Sequence, residues 1–222
     1  MRATPPVKKA PPRPDKAPPR PDYADLSKPA KERIALAARR LFMMYGIYVP
    51  LREIAELAES NEATAIIHYE SHGGLVHAYV QDLIKEYELD WKKAEAEHPH
   101  DPEAQLRSWI KGIELSTGDA FDEVSQLPRV AAQLFRWDDS SPLLTEVRSV
   151  RIRELHKIVQ LCRKAKFDEP SSLAHKLVLL VDGARSDSNC FGFDGPHSQL
   201  SEAASDLMAA HRGGGKLISP LD

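Results

Sequence analysis

The sequence predicts an all-α fold, with a three-helix unit near the N-terminus and a larger helical body behind it. Two observations carry that prediction. Apolar residues recur at i, i+3, i+4 and i+7 in segment after segment, which is the spacing of one helix face. Residues that start or stop helices punctuate the segments, Ser and Pro at the beginnings and Gly or a Pro-bounded loop at the ends. The 222 residues are enough for one large or two small domains with a real core. Hydrophobic content of 42% and charged content of 28% are ordinary for a globular chain. A net charge of −3 excludes general nucleic-acid coating, so any basic surface must be local. Cys162 and Cys190 are far apart with no CxxC pair. That argues against a disulfide framework or a zinc site and suits a reducing cytoplasm. No apolar run approaches the roughly 18 residues of a membrane span. The Pro- and charge-rich N-terminus is not a secretory signal.

Residues 1–26 read as a disordered arm. Two imperfect repeats, Ala10–Lys16 and Ala17–Tyr23, each carry the run Ala-Pro-Pro-Arg-Pro-Asp. Such Pro density favours extended, solvated polyproline II, and no aliphatic cluster is present to drive folding. Arg2, Lys8, Lys9, Arg13, Lys16 and Arg20 make the arm cationic. It can lie on phosphates or in a minor groove, serve as a solubilising tail, or act as a ligand for an SH3-type groove.

The first helix is expected from about Ser27, with Ser27 as N-cap and Pro29 early in the helix. Ile34, Ala37, Ala38, Leu41 and Phe42 form its stripe, and Gly46 stops it. Pro50 opens a second helix with Leu51, Ile54, Ala55 and Ala58 on its apolar face. After the turn Glu59-Ser60-Asn61, a third short helix runs from Glu62 to Tyr69. Two short helices joined by a three- to four-residue turn make a helix-turn-helix, whose second helix presents its outer face to the major groove. Arg52, Asn61, Glu62, Ala63, Thr64, Ile67, His68 and His72 are the candidate DNA contacts, and Ile66 shares the outer face. Tyr69 is expected to turn inward against the first helix.

Over residues 30–80 this pattern resembles the TetR family of bacterial transcriptional regulators. The residues that carry the resemblance are Ala37-Ala38-x-x-Leu41-Phe42, Gly46, Arg52-Glu53-Ile54-Ala55-x-x-Ala58, then Thr64, Tyr69, Ser71 and Leu75. The resemblance continues weakly over Pro142–Lys164 and Asp168–Arg185. It implies a repressor that binds operator DNA as a homodimer and is released by a small-molecule effector. The domains it implies are a helix-turn-helix domain over 27–75, an effector-binding and dimerisation domain over 76–212, and a flexible tail over 213–222. Three positions depart from the family pattern: Glu59 stands where Gly is usual, Ile66 where a phosphate-contacting Tyr is usual, and His72 where Lys is usual. From Tyr23 to Val80 there are six basic and seven acidic residues, a net of −1, where phosphate binding wants an excess of Lys and Arg. Either Glu62 accepts from a cytosine amino group, or the arm supplies the missing charge, or the DNA surface has decayed while the fold remains. In that last case the chain is a ligand sensor or a module that holds a protein partner.

A long helix follows over Gly73–Glu97, which in the family links the DNA-binding head to the body. Its terminal loop, His98-Pro99-His100-Asp101-Pro102, is better read as solvated than as a metal site. Helices are then expected over Pro102–Asp119, from near Pro128, from Pro142 to Lys164, over Ser171–Asp187 and over Ser198–Arg212, with breaks around Gly118 and over Ser188–Pro196. The outer face of the helix 142–164 is basic (Arg148, Arg151, Arg153, Lys157, Arg163, Lys164) and reads as solvated, or as a surface that neutralises an acidic ligand or the head. Small residues on the last two helices (Gly183, Ala184, Ala203, Ala204, Ala209, Ala210) suit a close, symmetric helix-pair interface. The resemblance places the effector pocket among the middle helices, where Trp109, Phe121, Phe135, Trp137 and His156 are the candidates. No nucleophile–base–acid arrangement, Gly-rich phosphate loop, cofactor motif or metal set is legible.

Overall fold

The computed structural model describes residues 22–118, 127–191 and 195–212. Among these, nine α-helices are present and no strand. They are α1 (Ala30–Tyr45), α2 (Leu51–Leu57), α3 (Glu62–Tyr69), α4 (His72–Glu97), α5 (Pro102–Gly118), α6 (Leu127–Trp137), α7 (Pro142–Lys164), α8 (Pro170–Phe191) and α9 (Leu200–Ala210). The all-α reading therefore holds. Residues 1–21, the break after Gly118, Phe121 and the C-terminal tail lie outside the described residues.

The head is assembled from α1, α2, α3 and the start of α4. The α1 stripe is buried as its spacing demands, with Ile34, Ala37 and Ala38 fully enclosed. Gly46 ends α1 at φ +90°, a conformation open to glycine, and its N–H donates to the Phe42 carbonyl (2.9 Å). Ser27 does not cap α1: its hydroxyl donates to Asp25 (2.7 Å), and Pro29 takes the N-cap position. Proline's fixed φ and missing donor suit a chain entering a helix, so the hydroxyl is dispensable there.

In the body, α5 packs against α4, α7, α8 and α9. That central position explains why Leu106, Trp109, Ile110 and Ile113 are all buried. Trp109 stacks on Trp91 of α4 with ring centroids 4.8 Å apart and planes 16° from parallel. Asp101 caps α5 by accepting from the Ala104 N–H (2.9 Å), and Glu97 accepts from the Ser108 hydroxyl (2.7 Å). Helix α8 extends four residues past the expected end at Asp187, and regular helix α9 begins at Leu200 after a 3₁₀ turn over Pro196–Gln199. Buried apolar side chains run as one cluster from Ile34 to Met208, with α4 passing through it. No helix among the described residues is long and apolar enough to cross a membrane.

The basic face of α7 is only partly solvated. Arg151 turns inward, bonding to Glu154 and Tyr87 Oη (3.2 Å) and to Asp182 of α8 (2.5 Å). Arg185 of α8 lies over the Tyr87 ring, 5.8 Å from its centre. Lys157 pairs with Glu95 (2.7 Å) above the Trp91 ring. Two guanidinium and two carboxylate groups thus meet between α4, α7 and α8. Periodicity cannot show this, because a buried charge needs its partner on another helix.

Burial pushes the Glu154 carboxyl up to about 8, against the pull of Arg185. The native state therefore holds this proton more tightly than the unfolded chain, where a glutamate titrates near ~4.3. The associated stability is complete below that lower value and is lost as pH rises through about 8. Urea unfolding should show the protein losing stability relative to Glu154→Gln between those limits. A stability difference flat across the window would refute the assignment.

Candidate nucleic-acid interface

The turn between α2 and α3 is held from inside the head. Arg33 of α1 is a charge on the apolar stripe, and it is buried. Its Nε donates to the Ala58 carbonyl (3.0 Å), one terminal nitrogen to Lys28 O (2.8 Å) and the other to Glu59 O (3.3 Å). One guanidinium thus satisfies three carbonyls, two in the helix-turn-helix turn and one at the entry to α1. Glu59 occupies the left-handed region at φ +48°, where a side chain costs roughly 1–2 kcal/mol relative to glycine.

Asn61 caps α3. Its side-chain oxygen accepts from the Thr64 N–H (2.9 Å) and the Thr64 hydroxyl (3.1 Å). These two candidate contacts are therefore engaged with each other. Tyr69 turns inward as expected and donates to the Lys31 carbonyl (2.8 Å), tying the end of α3 to α1. The face left outward consists of Glu62, Ala63, Ile66, Ile67 and His68, with Ile67 77% exposed. It offers one carboxylate, aliphatic groups and one imidazole, a set that can meet base edges but grips no row of phosphates.

The turn into α4 is unusually tight. Glu70 sits at φ +67°, and the Ser71 N–H closes a three-residue turn on the Tyr69 carbonyl (2.7 Å). Ser71 then caps α4 through Gly74 N–H (3.1 Å). A Cβ on Gly74 would lie 1.9 Å from the Tyr69 carbonyl oxygen, so only glycine fits. His72 faces the junction of head and body. Its Nε2 lies 2.9 Å from the Val49 carbonyl, an acceptor, so that nitrogen carries the proton and donates. The ring packs between Phe42 and Trp137.

Every basic side chain counted in the head has a partner within the protein. Lys28 pairs with Glu32 (2.9 Å), Arg39 with Glu86, and Arg52 with Glu56 (2.7 Å). Lys31 lies over the Tyr69 ring and Arg40 over the Tyr23 ring. Arg33 is the buried clamp. Arg52 remains at the surface, and exposed pairs of this kind are worth little, so it is available to exchange Glu56 for a phosphate.

Helix α6 is fastened to the corner between α1 and α2. Arg129 donates to Met43 O (2.6 Å), the Ile47 N–H donates to the Gln133 side chain (3.0 Å), and the Tyr48 hydroxyl donates to Gln133 O (2.6 Å). Trp137 closes the seam against His72 and Tyr48. Sequence reading missed both Arg33 and this seam. Arg33 had a signal, a cation on an apolar stripe. The seam had none, since its members are about 85 residues apart in the chain.

The structure does not gather the candidate pocket residues. Trp109 is buried in the Trp91 stack. Phe135 and Trp137 lie on the exposed side of α6, and His156 on the exposed side of α7. Inside the body, Trp91 Nε1, one Glu154 oxygen and both His197 ring nitrogens are buried with no hydrogen-bond partner among the described residues.

The sequence matches no family model and no curated protein. The fold does match solved structures. A TetR-family transcriptional regulator from Streptomyces coelicolor superposes with a TM-score of 0.72 at 20% identity, over 82% of this chain and 95% of that one. AibR, solved in complex with isovaleryl coenzyme A and operator DNA, gives 0.65 at 13% identity over 81% and 98%. The ketosteroid transcriptional regulator KstR2 of Mycobacterium tuberculosis gives 0.64 at 11% over 82% and 95%. The chain is therefore built on the fold of the TetR-family transcriptional regulators, in agreement with the resemblance read over residues 30–80.

Replacing Arg33 with Met should destabilise the protein by about 2–4 kcal/mol, because three carbonyls lose a charged donor. Arg52→Ala should change stability by less than about 0.5 kcal/mol. Thermal unfolding and amide exchange over residues 58–64 separate the two outcomes.

Proposed function

We propose that the chain is a TetR-family regulator, a homodimeric cytoplasmic repressor that holds operator DNA through α2 and α3 and releases it when a small-molecule effector binds the helical body. The observation that carries this reading is the helix-turn-helix itself. An Asn61-capped α3 projects Glu62, Ala63, Ile67 and His68 outward while Ala65 and Tyr69 fix its inner side. Glu62 serves base readout, and Arg52 with the basic arm supplies phosphate contact. The described structurally similar regulator AibR carries both operator DNA and an acyl-coenzyme A, which supports a two-ligand reading here.

Dimerisation is supported by the outer faces of α8 and α9. Leu179 is 72% exposed, open space surrounds Gly183, and Ala209 and Ala210 are at the surface. Two-fold symmetry would give the heads the half-site spacing that a helix-turn-helix reader uses. The α6 seam supplies the mechanical link, since a ligand that favours one position of α6 moves the corner it holds. Such an effector must bind the two states with different affinity.

The partnering of every basic side chain in the head favours a second reading, a TetR-like dimer that senses a ligand or holds a protein without reading DNA. Binding to duplex DNA flanking the protein's own gene, titrated against salt and compared with random duplex, decides between them. The repressor reading expects preferential binding that weakens steeply with salt and falls further when residues 2–21 are deleted. Equal affinity for both duplexes, indifferent to that deletion, would leave the second reading. Leu179→Arg should convert a dimer to a monomer in light scattering and weaken operator binding by more than about tenfold through lost bivalency.

A further inference from the structure

A surface groove of about 520 Å³ lies where head and body meet. Tyr48 and Pro50 of the α1–α2 corner, Ile66 of α3 and Trp137 of α6 line it, together with Glu62 and Glu70. The Tyr48 and Trp137 rings are 6.1 Å apart and inclined at 59°, and about half of each residue is exposed (51% and 48%). Neither Glu62 nor Glu70 forms a salt bridge with a described Lys or Arg; Glu62 feels Arg52 only through space. Inclined aromatic rings beside acids make the kind of surface that takes a proline ridge flanked by a cation.

The chain carries such a segment. Residues 1–21 contain eight prolines, six basic residues and the single acid Asp15. With three residues per polyproline II turn, Pro11 and Pro14 would share one ridge and Pro18 and Pro21 another, with Arg13 and Arg20 each on a ridge beside its own proline pair. The described chain begins at Asp22, where Tyr23 lies against Arg40 of α1. At ~3.1 Å per residue the 21 preceding residues span up to roughly 65 Å.

We propose that residues 10–21 of the chain's own arm seat in this groove in the free protein, prolines against Tyr48 and Trp137 and an arginine against Glu62 and Glu70. A seated arm covers Ile66 and Glu62 of α3. Operator phosphates would then compete for the same cations. The inference concerns the free protein and stands or falls independently of operator binding.

Acrylamide quenching of the full chain without DNA tests it. Trp91 and Trp109 are buried and stacked, so quenching reports Trp137, with Trp137→Phe supplying the background. The double variant Arg13→Glu/Arg20→Glu should raise the quenching constant about twofold, as should Glu62→Gln/Glu70→Gln and a rise to about 0.5 M salt. Circular dichroism checks that both variants keep their helix content. Quenching equal to wild type in both variants would overturn the proposal. So would a response confined to the acid-side variant, since the groove's occupant would then not be the arm.

Discussion

The helix-turn-helix keeps its shape through one buried guanidinium. Arg33 joins the Ala58 and Glu59 carbonyls of the turn to the Lys28 carbonyl at the entry to α1, so two chain segments share one rigid planar donor. Tyr69 makes the complementary tie at the far end of α3 through Lys31 O. With both ends fixed to α1, α3 is a rigid element whose outer face does not have to contribute to its own placement. That is why Ile66 and Ile67 can stand exposed without unravelling the head.

The same economy of cations explains the disagreement between shape and charge there. Arg33 is buried, Arg39 faces Glu86, and Lys31 and Arg40 rest on tyrosine rings. Arg33 is committed inside the head, and the exposed cations, Lys31 and Arg52, are too few to form a row of phosphate contacts without the arm. The backbone carries strain at the two turns flanking α3, where Glu59 and Glu70 take left-handed conformations. Gly74 relieves the second turn by letting the start of α4 approach the Tyr69 carbonyl. Two acidic residues at strained positions beside the reading face are the chemical signature that distinguishes this head from a strongly basic one.

Head and body are joined twice. Helix α4 passes through the buried cluster of both, and α6 grips the α1–α2 corner through Arg129, Gln133 and Trp137. The first link is continuous apolar packing and the second is a set of hydrogen bonds and ring contacts. Behind them, the buried polar cluster of Arg151, Glu154, Asp182 and Arg185 links α7 to α8. Such clusters contribute less to net stability than to the choice of one packing arrangement.

Local pattern alone determined the helix order and the chain's resemblance to a known fold. The α1 stripe, the Gly46 stop, Pro50, the Glu59–Asn61 turn and the inward Tyr69 were all legible, because each depends on neighbours within about one or two helical turns. The same locality made Asn61 and Thr64 look like DNA contacts, when Asn61 caps α3 and Thr64 binds to it. It also left His72 on the wrong side of its helix start and Arg151 in solvent. Only the tertiary structure decided which charges are internal, where Phe135 and Trp137 stand, and that α6 holds the head. Those facts depend on partners that lie up to about 86 residues away, such as Gln133 opposite Ile47. Hydrophobic periodicity states which face of a helix is covered, but the identity of the covering group is set by how the helices pack.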